Sequence, residues 1–247
     1  RAQVSDDFSD GNFTASPIWS GDTADYSINT TKQLQLSSSG TDTSCLSLQN
    51  TAIKNAEWRI WAKLSFAPSD NNNVRIYLIS DQPQLKDALN GYFIRMGENG
   101  SFDRFDLWEQ SGTTETKIID GANGHCGKST NTLRIKVTRD SLGNWSLYSD
   151  TLGGTNYQLE GTTNNVKHTS TNATCIYGSR GCPKKPCYSR YSQAGKDSLI
   201  HRRNKHILSE PSLSIQRVLQ FKLIPLLVMF DSRSGKNGVL VVGKISG

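Results

Sequence analysis

The stretch "EWRIWAKLSFAPS", Glu57–Ser69, decides the fold class of this chain. Trp58, Ile60, Ala62, Leu64 and Phe66 fall on one side of a period of two; Arg59, Trp61, Lys63 and Ser65 fall on the other. Successive side chains of an extended strand point to opposite faces, so the pattern predicts a strand with one buried and one wet face. A helical period would scatter the same apolar residues around a cylinder.

The pattern recurs on both sides of this stretch. In "NVRIYLIS" Val74, Ile76 and Leu78 oppose Arg75, Tyr77 and Ile79, and in "TLRIKVTRD" Leu133, Ile135 and Val137 oppose Arg134, Lys136 and Thr138. Turn signals separate the runs: "PSDNNN" (68–73), "ENGS" (98–101), "DGANG" (120–124), "DSLGN" (140–144) and "LGGTN" (152–156). Gly and Asn accept positive φ there, while Asp and Ser bond their own backbone. Only "QPQLKDALN" (82–90) reads as a short helix or helical turn. Many short strands with close-set turns predict an all-β, antiparallel sandwich.

Charge divides the chain of 247 residues in two. Residues 174–247 carry 13 Lys+Arg against 3 Asp+Glu, whereas residues 1–173 carry 15 against 19, so the overall +6 belongs to the tail. The expected organisation is therefore a β-sandwich over 4–173 and an irregular, basic, poorly structured tail over 174–247. No run reaches the roughly 18 apolar residues that a membrane span needs. The longest, "FKLIPLLVMF" (221–230), is interrupted by Lys222 and Pro225. Arg1-Ala2-Gln3, with a small residue before Gln3, would suit the remnant of a secretion signal, or equally an arbitrary boundary.

The opening "DDFSDGNFTASPIWSGD" (Asp6–Asp22) sets Phe8, Phe13 and Trp19 among turn residues. Together with "QLQLSS", "FAPSDNNNVRIYLISD", "LNGYFIRMGENGSFD", "VTRDSLGNWSLYSD" and "NYQLEG", it resembles the N-terminal β-sandwich of large exported surface proteins of Bacteroidota, the type found ahead of lamin-tail domains. The matching pieces run in order from Gln3 to Gly161. The resemblance implies a concanavalin A-like/laminin G-like jelly roll, secreted or displayed at the cell surface. It also implies that Phe8 and Trp19 anchor the core. In that family a strand of the form Phe-Gly-x-x-Cys-Lys-Tyr and an aromatic-Asp-Asp-Ile segment close the sandwich. Here the chain reads "NATCIYGSRGCPKKPCYSRYSQAG", so the closing strand is expected to be missing. A shifted reading frame near residues 170–176 would explain this together with the change of charge. The open edge would then lie beside the first strand, with the apolar runs near 218–230 and 238–243 able to dock on it. Trypsin should cut first among Lys184, Lys185, Arg190, Arg202 and Arg203.

Candidate chemistry is sparse. "FDRFDLWEQ" supplies Asp103, Asp106 and Glu109, but strand alternation sends Asp106 and Glu109 to opposite faces, so they cannot flank one glycosidic bond. No catalytic residue is therefore assigned, and no enzyme is expected. The weaker alternatives are a jelly-roll glycoside hydrolase and a zinc-dependent nucleic-acid binder. The zinc set would be Cys182, Cys187, His201 and His206, close to finger spacing, but two prolines stand in its knuckle. Neither a nucleic-acid partner nor a resident cofactor is expected.

Five cysteines leave at least one unpaired. From the resemblance, Cys126 with Cys175 is the pair to test, against buried free thiols. Five sequons, at Asn12, Asn29, Asn99, Asn144 and Asn172, fit an exposed domain. Jelly rolls of this kind bind glycans, some beside Ca²⁺ held by loop oxygens. Asp70, Asn71 and Asn72 form an oxygen-rich loop, and Trp61, Tyr77 and Trp108 would stack on sugars if exposed. Adhesion or carbohydrate binding is the expected function, with glycans or other surface proteins as partners.

Overall fold

The computed structural model describes residues 4–37, 43–85, 88–179 and 219–222. Its strands are β1 (Ser20–Gly21), β2 (Tyr26–Ile28), β3 (Leu34–Leu36), β4 (Thr43–Gln49), β5 (Ala56–Leu64), β6 (Val74–Ser80) and β7 (Leu89–Met96). They continue as β8 (Phe105–Gly112), β9 (Thr114–Ile119), β10 (Asn131–Arg139), β11 (Asn144–Asp150), β12 (Gln158–Asn164), β13 (Ala173–Ser179) and β14 (Leu219–Lys222). Sheet A has the order β1-β4-β13-β6-β7-β8-β9 and sheet B the order β12-β11-β10-β5-β14-β3-β2, with antiparallel pairing throughout.

The alternation read from the sequence is the alternation of burial. Residues Ala56–Leu64 of β5 and Asn131–Arg139 of β10 alternate buried and half-buried without a break. Their inward residues Trp58, Ile60, Leu64, Leu133, Ile135 and Val137 meet Leu46, Ile76, Ile94 and Leu107 of sheet A in one core. Each such side chain contributes on the order of 1.5–3 kcal/mol when fully buried. Phe8 and Trp19 belong to this core, 0% and 1% exposed, with ring centroids 6.2 Å apart. The aromatics of the opening stretch are thus packing anchors.

In three places the structure departs from the sequence reading. The segment 82–90 shows no helix in its described residues; Leu85 and Leu89 instead pack on the outer face of sheet A, and Leu89 already opens β7. Ile79, expected opposite Leu78, joins it in the core, because a bulge between Tyr77 and Ile79 shifts the register. Gly91 permits that approach: a Cβ there would lie 2.1 Å from the Ile79 carbonyl oxygen.

The third departure concerns the closing strand, which is present. Strand β13 lies between β4 and β6, with Ile176 turned to the core and Cys175 to the outer face. The sandwich therefore extends through Ser179, and the boundary expected at 173/174 falls at the start of this strand. Its "TCIY" supplies β-branched and aromatic residues in the right parity, although it departs from the family form. Likewise, β14 from the basic segment is not an edge strand: it pairs with β3 on one side and β5 on the other.

Candidate functional site

Two outer faces carry half-buried aromatic and charged side chains, but on sheet A Tyr77 and Phe93 are themselves buried, 2% and 0% exposed, so Tyr77 is not open to stack on a sugar. On sheet A, cross-strand pairing places Cys175, Tyr77, Phe93, Trp108 and Lys117 in one row across five strands. Tyr77 and Phe93 meet at 4.8 Å between ring centroids, and Phe93 stacks on Trp108 at 6.2 Å and 12°. The next row holds Tyr177, Arg75 and Arg95, paired in that order. Arg75 lies over Phe93 at 5.2 Å and over Tyr177 at 5.6 Å, while Arg95 and Lys117 flank Trp108 at 5.6 and 5.4 Å. Aromatic faces attract such cations through the ring quadrupole.

The segment 82–90 covers one side of this face. The Pro83 carbonyl oxygen lies 3.9 Å from the Sγ atoms of Cys45 and Cys175, and Leu85 and Leu89 pack beside Tyr77. Trp108 and Tyr177 remain half-buried beyond it. Among the described residues, the buried donors Trp108 Nε1 and Arg75 Nε have no hydrogen-bond partner.

Of the residues singled out from the sequence, Tyr77, Trp108 and Asp70 come together here. Asp70 pairs with Arg95, which also donates to the Gly97 carbonyl oxygen at 2.9 Å. Asn72 closes a tight turn with Ser69, and Asn71 is exposed at its tip. As a Ca²⁺ loop, 70–72 offers one carboxylate, already engaged by a guanidinium that the ion would have to displace. Among the described residues no group of three or more His, Cys, Asp and Glu is arranged to hold a metal. Trp61 lies on the outer face of sheet B instead. Sequence reading missed Phe93, Arg75, Arg95, Lys117 and Tyr177. The parity that groups Arg75 with Tyr77 was legible, but the strand order that adds the others was not.

The carboxylates separate as alternation predicts. Asp106 stands opposite Arg95 and Glu109 opposite Tyr92, in rows of opposite parity. Burial raises the Asp106 carboxyl, against the Gly121 amide and Lys117 Nζ, which lies at 3.1 Å. Burial would also raise Glu109, but hydrogen bonds from Ser111, His168 and Lys167 hold it below its ordinary value. Ser111 Oγ and His168 Nε2 lie 3.4 Å apart and both contact Glu109 Oε1. The acid therefore sits on the serine side of the imidazole, whereas an activated serine needs it on the other ring nitrogen.

The expected Cys126–Cys175 bridge is not formed. Cys126 is buried in the core between the sheets and Cys175 on the outer face of sheet A, and both are free thiols. Cys126 comes from the loop between β9 and β10 and faces the core, whereas the parity of β13 turns Cys175 to the outer face of sheet A. Cys182, Cys187, His201 and His206 lie outside the described residues.

No family model matches the chain, and no curated protein matches it. Solved structures do. The Emp47p carbohydrate recognition domain aligns with a TM-score of 0.53 at 14% identity, covering 72% of this chain and 86% of that one. The Ca²⁺/Man-bound VIP36 exoplasmic/lumenal domain aligns with a TM-score of 0.51 at 10% identity, covering 72% and 83%. Its metal-free form gives 0.51 at 11%, covering 72% and 84%. The fold is that of the lectin-like, concanavalin A-like β-sandwiches. Among the described residues no helix is long and apolar enough to cross a membrane.

Proposed function

We propose that this chain is a non-enzymatic carbohydrate-binding module of the cell exterior, acting in glycan recognition or adhesion through the outer face of sheet A. The observation that carries the reading is the pair of half-buried rings Trp108 and Tyr177, set on a buried floor of Tyr77 and Phe93 and bordered by Arg75, Arg95 and Lys117. Sugar rings present C–H faces to aromatic rings and hydroxyls to charged groups, and this face supplies both. The lectin-like fold and the resemblance to exported Bacteroidota modules support the same reading, as does a neighbour whose bound form holds mannose. The separate hydrogen-bonded sinks of Asp106 and Glu109 favour binding over hydrolysis.

The test is a glycan array run with and without Ca²⁺, beside a β-glucan hydrolysis screen. Trp108→Ala and Tyr177→Ala should each weaken the best glycan by roughly tenfold or more while keeping the far-UV spectrum. Turnover abolished by removing one carboxylate would overturn the non-enzymatic part. Binding unchanged by both aromatic variants would remove the site.

A further inference from the structure

The outer face of sheet B concentrates positive charge in a region of the chain that is net acidic. Strands β5 and β10 present Glu57, Arg59, Trp61, Lys63, Thr132, Arg134, Lys136 and Thr138 outward: four cations and a single carboxylate. Pairing sets Arg59 beside Lys136 and Trp61 beside Arg134. On β11 Tyr148 stands opposite Lys136, whose Nζ lies 4.1 Å from that ring centroid and 5.1 Å from the ring of Tyr157. Glu57 is engaged by Arg59 at 2.5 Å, and Asp150 accepts the amides of Leu152 and Asn156 in its own turn. The Nε of Arg134 is fixed on the Gly153 carbonyl oxygen at 2.8 Å and its guanidinium also bonds the Tyr157 phenol, which holds its orientation on this face. The Tyr157 phenol, raised by burial and pulled down by Arg134 and Arg59, reports the same convergence of cations.

We propose that this face binds acidic polysaccharide, taking carboxylate or sulfate groups on Arg59, Lys63, Arg134 and Lys136, with Trp61 packing on the sugar rings between them. Strand geometry spaces Arg134 and Lys136 by about 7 Å and Arg59 and Lys63 by about 14 Å along their strands, with about 4.8 Å between strands. That is a flat lattice suited to a chain with regularly repeated anions. A nucleic acid is the poorer fit. Its dense phosphate charge needs an extended basic field, and base stacking needs open ring faces, whereas Lys136 already caps Tyr148 and Tyr157. The surface lies on the opposite sheet from Trp108, so it stands or falls independently of the sheet A reading.

The test is affinity electrophoresis of the full chain through dextran sulfate, polygalacturonate, unmodified dextran and, separately, duplex DNA. Retention by either acidic polymer is expected, with none by neutral dextran; the two acidic arms tell sulfate from carboxylate recognition. Salt raised from about 0.05 to about 0.5 M should abolish it. Lys63→Glu combined with Lys136→Glu should weaken retention roughly tenfold. Should the double reversal unfold the protein by circular dichroism, Lys63→Gln with Lys136→Gln reads the same face with less perturbation. Retention unaltered in the folded variants would assign the binding to the basic segment beyond residue 174 and overturn the proposal. Equal retention by neutral dextran, or tighter binding of DNA than of both acidic polymers, would overturn it as well.

Discussion

The indole N–H of Trp19 donates to Oδ2 of Asp6 at 2.8 Å, while Oδ1 of the same carboxylate accepts the Phe8 amide at 2.8 Å. One buried acid thus ties down both aromatics that the opening stretch sends into the core. Burial pushes the Asp6 carboxyl up to about 6 from 3.8, against the pull of these two donors. Between those values the folded state binds more protons than the unfolded one, so stability falls as pH rises through that window. We expect the protein to gain on the order of 1–3 kcal/mol from this group on going from pH 7.5 to pH 4. Asp6→Asn keeps an acceptor and should remove that increment, as a comparison of urea midpoints at the two pH values would read. An unchanged pH dependence in Asp6→Asn would assign the titration elsewhere.

Arg139 is 3% exposed and donates to the carbonyl oxygens of Ile53, Asn165 and His168 at 3.1, 3.4 and 3.0 Å. Its guanidinium lies 5.0 Å from the Trp145 ring and 5.4 Å from Tyr92. Burial lowers its pKa, a sign of the desolvation that these carbonyls and rings offset. Arg139→Ala should cost about 3–5 kcal/mol, a fall in Tm of about 10 °C at this size. Arg139→Lys should fall between, since a single ammonium cannot serve three carbonyls in one plane. A calorimetric shift below about 2 °C for the alanine variant would contradict this role.

Thiol chemistry gives a third measurement. Burial pushes Cys126 up to about 12 and raises Cys175 as well, so neither carries much thiolate at pH 8. Native protein treated with iodoacetamide should leave both unmodified by peptide mass mapping, and denaturant should expose both. Prompt labelling of Cys126 in the native state, or a disulfide-linked peptide joining it to Cys175, would refute their placement on opposite sides of sheet A.

Proteolysis addresses the organisation of the chain. We expect trypsin to cut first among Lys184, Lys185, Arg190, Arg202 and Arg203 and to leave a resistant fragment that retains β13, because β13 is paired on both sides. Earlier cleavage at exposed Lys32, with the later sites protected, would show the opposite order of stability.

How much was legible in the sequence is clearest at β5 and β13. The alternation of Trp58, Ile60, Ala62 and Leu64 against Arg59, Trp61 and Lys63 determined strand, face and core membership, because the side-chain period of a strand is local geometry. The same local rule separated Asp106 from Glu109, whereas the resemblance alone marked Phe8 and Trp19 as anchors. Which strands become neighbours is a different quantity. Pairing of β13 with β4 and β6 joins residues about a hundred positions apart, and it is decided by the apolar area and backbone hydrogen bonds that the whole sandwich satisfies at once. A single bulge at Tyr77/Ile79 then changes parity without a mark in the pattern. Hence the sequence determined that Tyr77 lies opposite the apolar side of its strand, while only the tertiary structure decided that Phe93 and Trp108 join it, that Trp61 lies on the other sheet, and that Cys126 and Cys175 lie on opposite sides of sheet A. Parity is set residue by residue along one strand; adjacency is set by the sheets as a whole.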